Sequence, residues 1–170
     1  MRGPSAVEDF CLIPGVEIVA LCDYVEARAA KQNETLRKHG LAPAAVYYGE
    51  KGYEDLCRRN DIDLVYIATD WEHHAVVARC AMENGKNVAD EVPSAMNLEE
   101  CWQLIDLAEQ KQLNCMILEN CCYDWFEMRT LNMAQHGVFG EILHAQGAYI
   151  HNLDEFWDYY WKNPNGTDPE

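Results

Sequence analysis

The sequence predicts an α/β fold: a doubly wound parallel sheet, followed by the start of a second α+β domain. Three observations carry that expectation. Between residues 16 and 120, apolar stretches alternate four times with helical stretches. The connections between them are short. The stretches that read as strands are apolar throughout rather than alternating, which implies that both faces are covered.

The elements follow in order. MRGPSAVEDF at the start reads as a turn leading into a helix. VEIVALCD (16–23) is a continuous apolar run ending in Asp23, and VEARAAKQNETLRKHG (25–40) is a helix stopped by Gly40. VYY (46–48) is a short strand, EKGYEDLCRRND (50–61) a short helix, and LVYIATD (64–70) another apolar strand. HAVVARCAMENG (74–85) sets Val76, Val77, Cys80 and Ala81 on one helical face and ends at Gly85. NVADEVP (87–93) is the next strand. NLEECWQLIDLAEQKQ (97–112) opens with Asn97 and Glu100 in a capping-box pattern, with Cys101, Leu104, Ile105 and Ala108 as its apolar stripe. CMILEN (115–120) is a strand and DWFEMRTLNMAQHG (124–137) a helix. GEILHAQGAYIHNL (140–153) reads as a longer strand of a different kind, belonging to the second domain. The expected boundary divides 1–121 from 122–170.

No strand precedes the first helix, whereas a doubly wound dinucleotide domain opens with strand, glycine-rich turn and helix. Gly3 would be the last glycine of such a turn. Both ends therefore read as cut, with the first strand and most of a second domain expected outside these 170 residues. The chain by itself is expected to be inactive.

Composition narrows the class. The net charge of −16 argues against nucleic acid or an anionic membrane surface as partner, and reads as a soluble, acid-rich surface. No apolar run approaches the roughly 20 residues of a transmembrane helix. No basic-then-apolar leader opens the chain, and the compartment stays open between cytoplasmic and exported. The eight cysteines contain no C-x-x-C pair, which argues against structural zinc. Cys22, Cys80, Cys101 and Cys115 fall on apolar faces, so most of the cysteines are expected to be buried and reduced.

Sheets of this kind bind ligands beyond the carboxyl ends of their strands. Asp23 ends a strand 20 residues after Gly3, where a dinucleotide fold places an acid on the adenosine ribose and favours NAD over NADP. The alternative is an ordinary polar strand end. Trp71, His73 and His74 read either as a loop and helix start under a cofactor or as a helix N-terminus with a satisfied histidine. Adjacent histidines cannot both face one point on a helix, so a shared metal is not expected. Pro93 turns the chain abruptly after Glu91 and Val92, aiming both into the crevice. Asn120 either hydrogen-bonds a carboxamide or forms a turn. Asp90 stands where the strand pattern wants an apolar residue, and either pairs with Lys86 or faces a gap. Phe156, Trp157, Tyr159, Tyr160 and Trp161 read as core or domain-interface packing, with sugar stacking as the alternative.

Taken together, MRG, VEIVALCD, YIATDWEHH, ENGKNVADEVP, ILENCCYDWFEM and GEILHAQGAYIHNLDEFWDYYWKNPNG resemble the Gfo/Idh/MocA oxidoreductase family, which has a Rossmann-like domain. More narrowly they resemble its NAD-dependent glycosidase branch, glycoside hydrolase family 109, known for α-N-acetylgalactosaminidase activity. The resemblance implies NAD as cofactor and an N-acetylgalactosamine-containing glycan as substrate. It implies that Met1 and Arg2 belong to the phosphate turn and that Asp23 holds the ribose. It places Trp71, Glu72, His73 and His74 against NAD, although Glu72 stands where the family has an apolar residue. It places Glu91 and Val92 along the NAD site, Asn120 near the nicotinamide, and Tyr149 at the sugar. The branch's catalytic His and Tyr would lie beyond Glu170.

Most members of the parent family carry Glu-Lys-Pro where this chain has Glu91-Val92-Pro93. That lysine moves a proton at the oxidised carbon, and valine cannot. The implied glycosidase route oxidises the sugar at C3, eliminates the group at C1, adds water and reduces C3 again, with no net redox change. The alternatives are an NAD-dependent sugar or polyol dehydrogenase, against which Val92 counts, and a non-catalytic nucleotide-binding or interaction module. The family's second-domain sheet commonly pairs with another copy, so the oligomeric state stays open, with a homo-oligomer among the alternatives.

Overall fold

The computed structural model describes residues 2–148, 150–152 and 154. The chain divides into two compact units, Met1–Cys121 and Cys122–Glu170. The first unit opens with α1 (Arg2–Phe10), β1 (Ala20–Asp23), α2 (Glu26–Lys38), β2 (Ala45–Tyr48) and α3 (Gly52–Cys57). It continues with β3 (Leu64–Ile67), α4 (Trp71–Glu83), β4 (Asn87–Asp90), α5 (Leu98–Lys111) and β5 (Cys115–Ile117). The second unit contains α6 (Trp125–Gln135).

All strand pairs are parallel, as expected for strand–helix–strand units. They form two sheets, β1–β2 and β3–β4–β5. Among the described residues no ladder joins β1 to β3. The strands are shorter than the apolar runs that contain them, because ladder length is set by the partner. Only Ala20–Asp23 of the run 16–23 finds a partner, in register with Ala45–Tyr48.

Helix caps explain the helix starts. The Asp70 carboxylate accepts from the His73 backbone N–H at 3.1 Å, so α4 begins at Trp71, earlier than the apolar pattern implied. Asn97 Oδ1 accepts from Glu100 N–H at 2.9 Å, while Glu100 Oε2 accepts from Met96 N–H at 2.8 Å. The capping-box reading thus holds, with the return bond made one residue earlier than usual.

Two cores result. The larger includes Ile67, Val88, Ala78, Ala81, Met82 and Leu104, joining α4 and α5 to the three-stranded sheet. The smaller sets Ala29 and Leu36 of α2 against Leu21 and Ala44. Both helical stripes are rotated from the expected ones. On α4 the buried set is His74, Ala75, Val77, Ala78, Ala81 and Met82, while Val76 is exposed. On α5, Leu104 is buried with Leu107 and Ala108 beside it, while Cys101 and Ile105 face outward. Small residues permit the close α4–α5 approach, and that contact decides which face turns inward.

Three further expectations are corrected. No cysteine is in a disulfide, yet only Cys57 is buried, and Cys22 and Cys101 are exposed. None of the described residues in 140–153 forms a strand, since none of them has a hydrogen-bonded partner strand. Gly3 lies inside α1 rather than in a turn. The aromatic tail 156–161 lies outside the described residues. Among the described residues no helix is long and apolar enough to cross a membrane.

Candidate functional site

The carboxyl ends of β3, β4 and β5 open onto a cleft of about 220 Å³, lined on its other side by one face of α1. That face carries Arg2, Ser5, Ala6, Asp9, Phe10 and Ile13, a spacing of three and four residues that defines one helical side. Tyr66, Glu91, Leu118 and Asn120 complete the walls.

Polar contacts converge on Glu91. Its backbone N–H donates to the Ile67 carbonyl at 2.9 Å, which fixes the chain just past β4. Its carboxylate accepts the Tyr66 hydroxyl at 2.9 Å and lies 3.6 Å from Arg2 Nε. The Arg2 guanidinium also donates to Asn120 Oδ1. Burial, followed by the bond to Glu91, raises the Tyr66 phenol above its usual range. Phe10 meets the Tyr66 ring edge-on, with centroids 5.3 Å apart.

Of the residues singled out from sequence, Arg2, Glu91 and Asn120 meet in this cleft. Val92 is exposed beside it in sequence, and the Val92–Pro93 peptide is cis. Asp23 lies at the end of β1 in the other sheet, where its carboxylate accepts from Val25 N–H at 2.8 Å. Trp71, Glu72 and His73 are exposed on the first turn of α4. His73 Nδ1 sits 2.6 Å from Asp70 Oδ1, so the same carboxylate caps the helix and holds the ring.

His74 is only 1% exposed and faces Asp90. This gives Asp90 a partner other than the expected Lys86, which is itself buried. Met1 and Tyr149 lie outside the described residues. Among the described residues no three His, Cys, Asp or Glu side chains converge as a metal site.

Sequence reading missed Tyr66, Asp9 and Phe10 as cleft residues. The signal was present in the helical spacing of the cleft-lining residues of α1, and in Tyr66 as the one hydroxyl within LVYI.

The profile of the Gfo/Idh/MocA oxidoreductase family, described as having an NAD-binding Rossmann fold, matches residues 4–119. This chain belongs to the Gfo/Idh/MocA oxidoreductase family. It is 70% identical over 163 residues to glycosyl hydrolase family 109 protein 5 of Phocaeicola vulgatus, an alignment covering 96% of this chain and 31% of that protein. It is 65% identical over 170 residues to protein 3 of the same family and organism, covering 100% of this chain and 31% of the relative. The chain thus spans about a third of the length of these curated relatives. The crystal structure of myo-inositol dehydrogenase from Lactobacillus casei, in complex with NAD(H) and myo-inositol, superposes with a TM-score of 0.71 at 22% identity. That match covers 82% of this chain and 40% of the dehydrogenase, and shows the shared fold. As a Gfo/Idh/MocA chain, this protein carries an NAD-binding Rossmann fold whose strand ends form the cleft described above.

Proposed function

We propose that this Gfo/Idh/MocA chain is the NAD-binding part of a glycosidase that hydrolyses α-N-acetylgalactosaminides by oxidation, elimination, water addition and reduction. The observation that carries the reading is 70% identity, over 96% of the chain, to a glycosyl hydrolase family 109 protein. Val92 supports it, because an apolar side chain at this strand end supplies no proton donor for a simple alcohol dehydrogenase.

The residues present fit a dinucleotide. Arg2 begins α1, so its guanidinium and the helix N-terminus offer positive charge for a phosphate. Asn120 offers a carboxamide that can both donate and accept hydrogen bonds to a nicotinamide amide. Asp23 ends β1 with a carboxylate suited to a ribose diol, and that charge disfavours the extra phosphate of NADP. The NAD these residues would hold would supply hydride-acceptor chemistry toward C3 of the sugar, returning the hydride at the end of the cycle. The cleft volume is below the roughly 300–1,000 Å³ of enclosed ligand pockets, so it accommodates part of a dinucleotide rather than all of it. Glu91, held by Tyr66 and flanked by Arg2, would offer that part a polar floor.

The test uses the intact protein with p-nitrophenyl α-N-acetylgalactosaminide and no added NAD, following nitrophenol and absorbance at 340 nm together. Nitrophenol release without accumulating NADH is the expected result. NADH that grows only with free sugar and added NAD, without nitrophenol release, would establish the dehydrogenase reading instead.

A further inference from the structure

Asp90 closes β4 between Ile67 of β3 and Ile117 of β5, and no part of it reaches solvent. Its carboxylate Oδ1 lies 3.2 Å from His74 Nδ1, with the two side chains 0% and 2% exposed. The other imidazole nitrogen, Nε2, lies 3.1 Å from the Thr69 carbonyl oxygen. A carbonyl oxygen can only accept, so Nε2 must carry a hydrogen. In a neutral ring that leaves Nδ1 as a bare acceptor aimed at Asp90. An ionised carboxylate is an acceptor as well. Two acceptors facing each other in a dry interior repel, and neither oxygen of Asp90 has a well-formed hydrogen bond elsewhere.

One additional proton removes the conflict. It makes either an imidazolium beside a carboxylate or a neutral ring beside a carboxylic acid, and both have zero net charge. Burial raises the Asp90 carboxyl above the ordinary range, with His74 and the Ser94 hydroxyl acting in the opposite sense. The other titratable groups facing it are Glu91, next along the chain, and the Cys115 thiol of β5. β3 presents Ile67 at this level.

The pair joins two strand ends. Through Nε2 it holds Thr69, the residue before the cap of α4. Through Asp90 it holds the residue before Glu91, whose carboxylate sits in the cleft. We propose that His74 and Asp90 are a buried, proton-sharing positioning pair that fixes Glu91 in the cleft, so that dinucleotide affinity weakens as pH rises and the shared proton is lost. The functional half of this proposal rests on the NAD-binding reading above; the pair itself does not. Losing the proton leaves a net negative charge at the sheet end, which drives local opening of the strand ends toward water.

The experiment uses the intact protein with ¹⁵N-labelled histidine. Ring resonances of His74 are followed with pH, alongside the Kd for NAD by calorimetry. The expected spectrum has a protected Nε2 proton and an Nδ1 shift that moves in one step, a step absent from Asp90→Asn. Across that step the wild-type Kd for NAD rises about tenfold, the change equivalent to one pKa unit. Asp90→Asn binds NAD with a flattened pH profile, because its amide donates to Nδ1 without titrating. Asp90→Ala binds more weakly at every pH. A His74 ring whose Nδ1 is indifferent to Asp90→Asn, or an Asp90→Asn pH profile matching the wild type, overturns the proposal. Failure of the wild type to bind NAD at any pH would instead sink the cofactor reading, while the ring spectra still decide whether the pair shares a proton.

Discussion

Tyr66 donates its hydroxyl to Glu91 Oε1 at 2.9 Å, bridging the third residue of β3 and the first residue after β4. The same phenol packs against Phe10 of α1. One side chain therefore ties the helix that walls the cleft to the carboxylate at its floor. Tyr66→Phe keeps the ring and removes the hydroxyl. The expected loss is about 1 kcal/mol, the usual size for a partly buried hydrogen bond, read from the urea midpoint at neutral pH.

The same phenol predicts an alkaline effect with a definite sign. Its folded-state pKa is raised, first by burial and then by Glu91. The stability it contributes is fully present below the unfolded tyrosine pKa of about 10 and is lost as pH rises beyond it. Urea midpoints measured between neutral and strongly alkaline pH should fall more steeply for the wild type than for Tyr66→Phe.

Asn97→Ala removes the N-cap of α5 and should cost about 1 kcal/mol. Asn97→Asp retains an accepting oxygen and should restore most of that loss. Thermal unfolding followed by circular dichroism distinguishes the two, and equal losses would mean that the cap bond at 2.9 Å contributes nothing.

Leu36 is fully buried in the smaller core, beside Ala29, Leu21 and Ala44. Leu36→Ala should cost about 2–5 kcal/mol through lost transfer energy and the cavity left behind. Hydrogen exchange should accelerate first in α2, β1 and β2, the elements that share this cluster.

Thiol labelling should follow burial. Cys57 is wholly buried, and burial pushes its pKa up to about 12, so it should be the slowest of the cysteines to react with iodoacetamide. Cys101, exposed on α5, should react rapidly. Mass spectrometry of partially labelled protein reads the order directly, and early labelling of Cys57 would contradict the packing around it.

In the intact protein, Asp23→Ala should weaken NAD binding by about tenfold, a loss of roughly 1.4 kcal/mol that is typical of a hydrogen bond to a charged group. Asp23 also holds Val25 N–H, so the comparison variant is Asp23→Asn, which retains that turn bond without the charge. Calorimetry with NAD and NADP separates charge recognition from turn geometry.

Element order was legible in the sequence because alternation of apolar runs and capped helices is a local signal. Asn97 and Glu100 placed α5 to within a residue. The inward faces of α4 and α5 were less legible, because the helices pack on each other through small residues that an apolar count ranks low. Glu91 and Asn120 could be singled out as strand-end residues and Arg2 only through the family resemblance; the three do meet, with Arg2 on α1 rather than in a turn. Their partner Tyr66 was passed over, because a tyrosine within an apolar strand looks like core even though it is the one hydroxyl in LVYI. Asp90 was visible as an anomaly, but its partner lies on the first turn of α4, the helix that precedes β4, and no local spacing links it to His74.

The division of the strands into a pair and a triplet has a practical consequence for handling the molecule. β1 and β3 each present, among the described residues, a row of backbone donors and acceptors without a neighbouring strand. Such rows are templates for pairing with another polypeptide, and Leu64 adds exposed apolar surface at one of them. The net charge of −16 opposes that association by mutual repulsion between copies. Salt shortens the reach of this repulsion, from about 10 Å at 0.1 M to about 3 Å at 1 M. Colloidal stability of this chain should therefore decline with ionic strength, with intermolecular β-structure as the form in which it leaves solution.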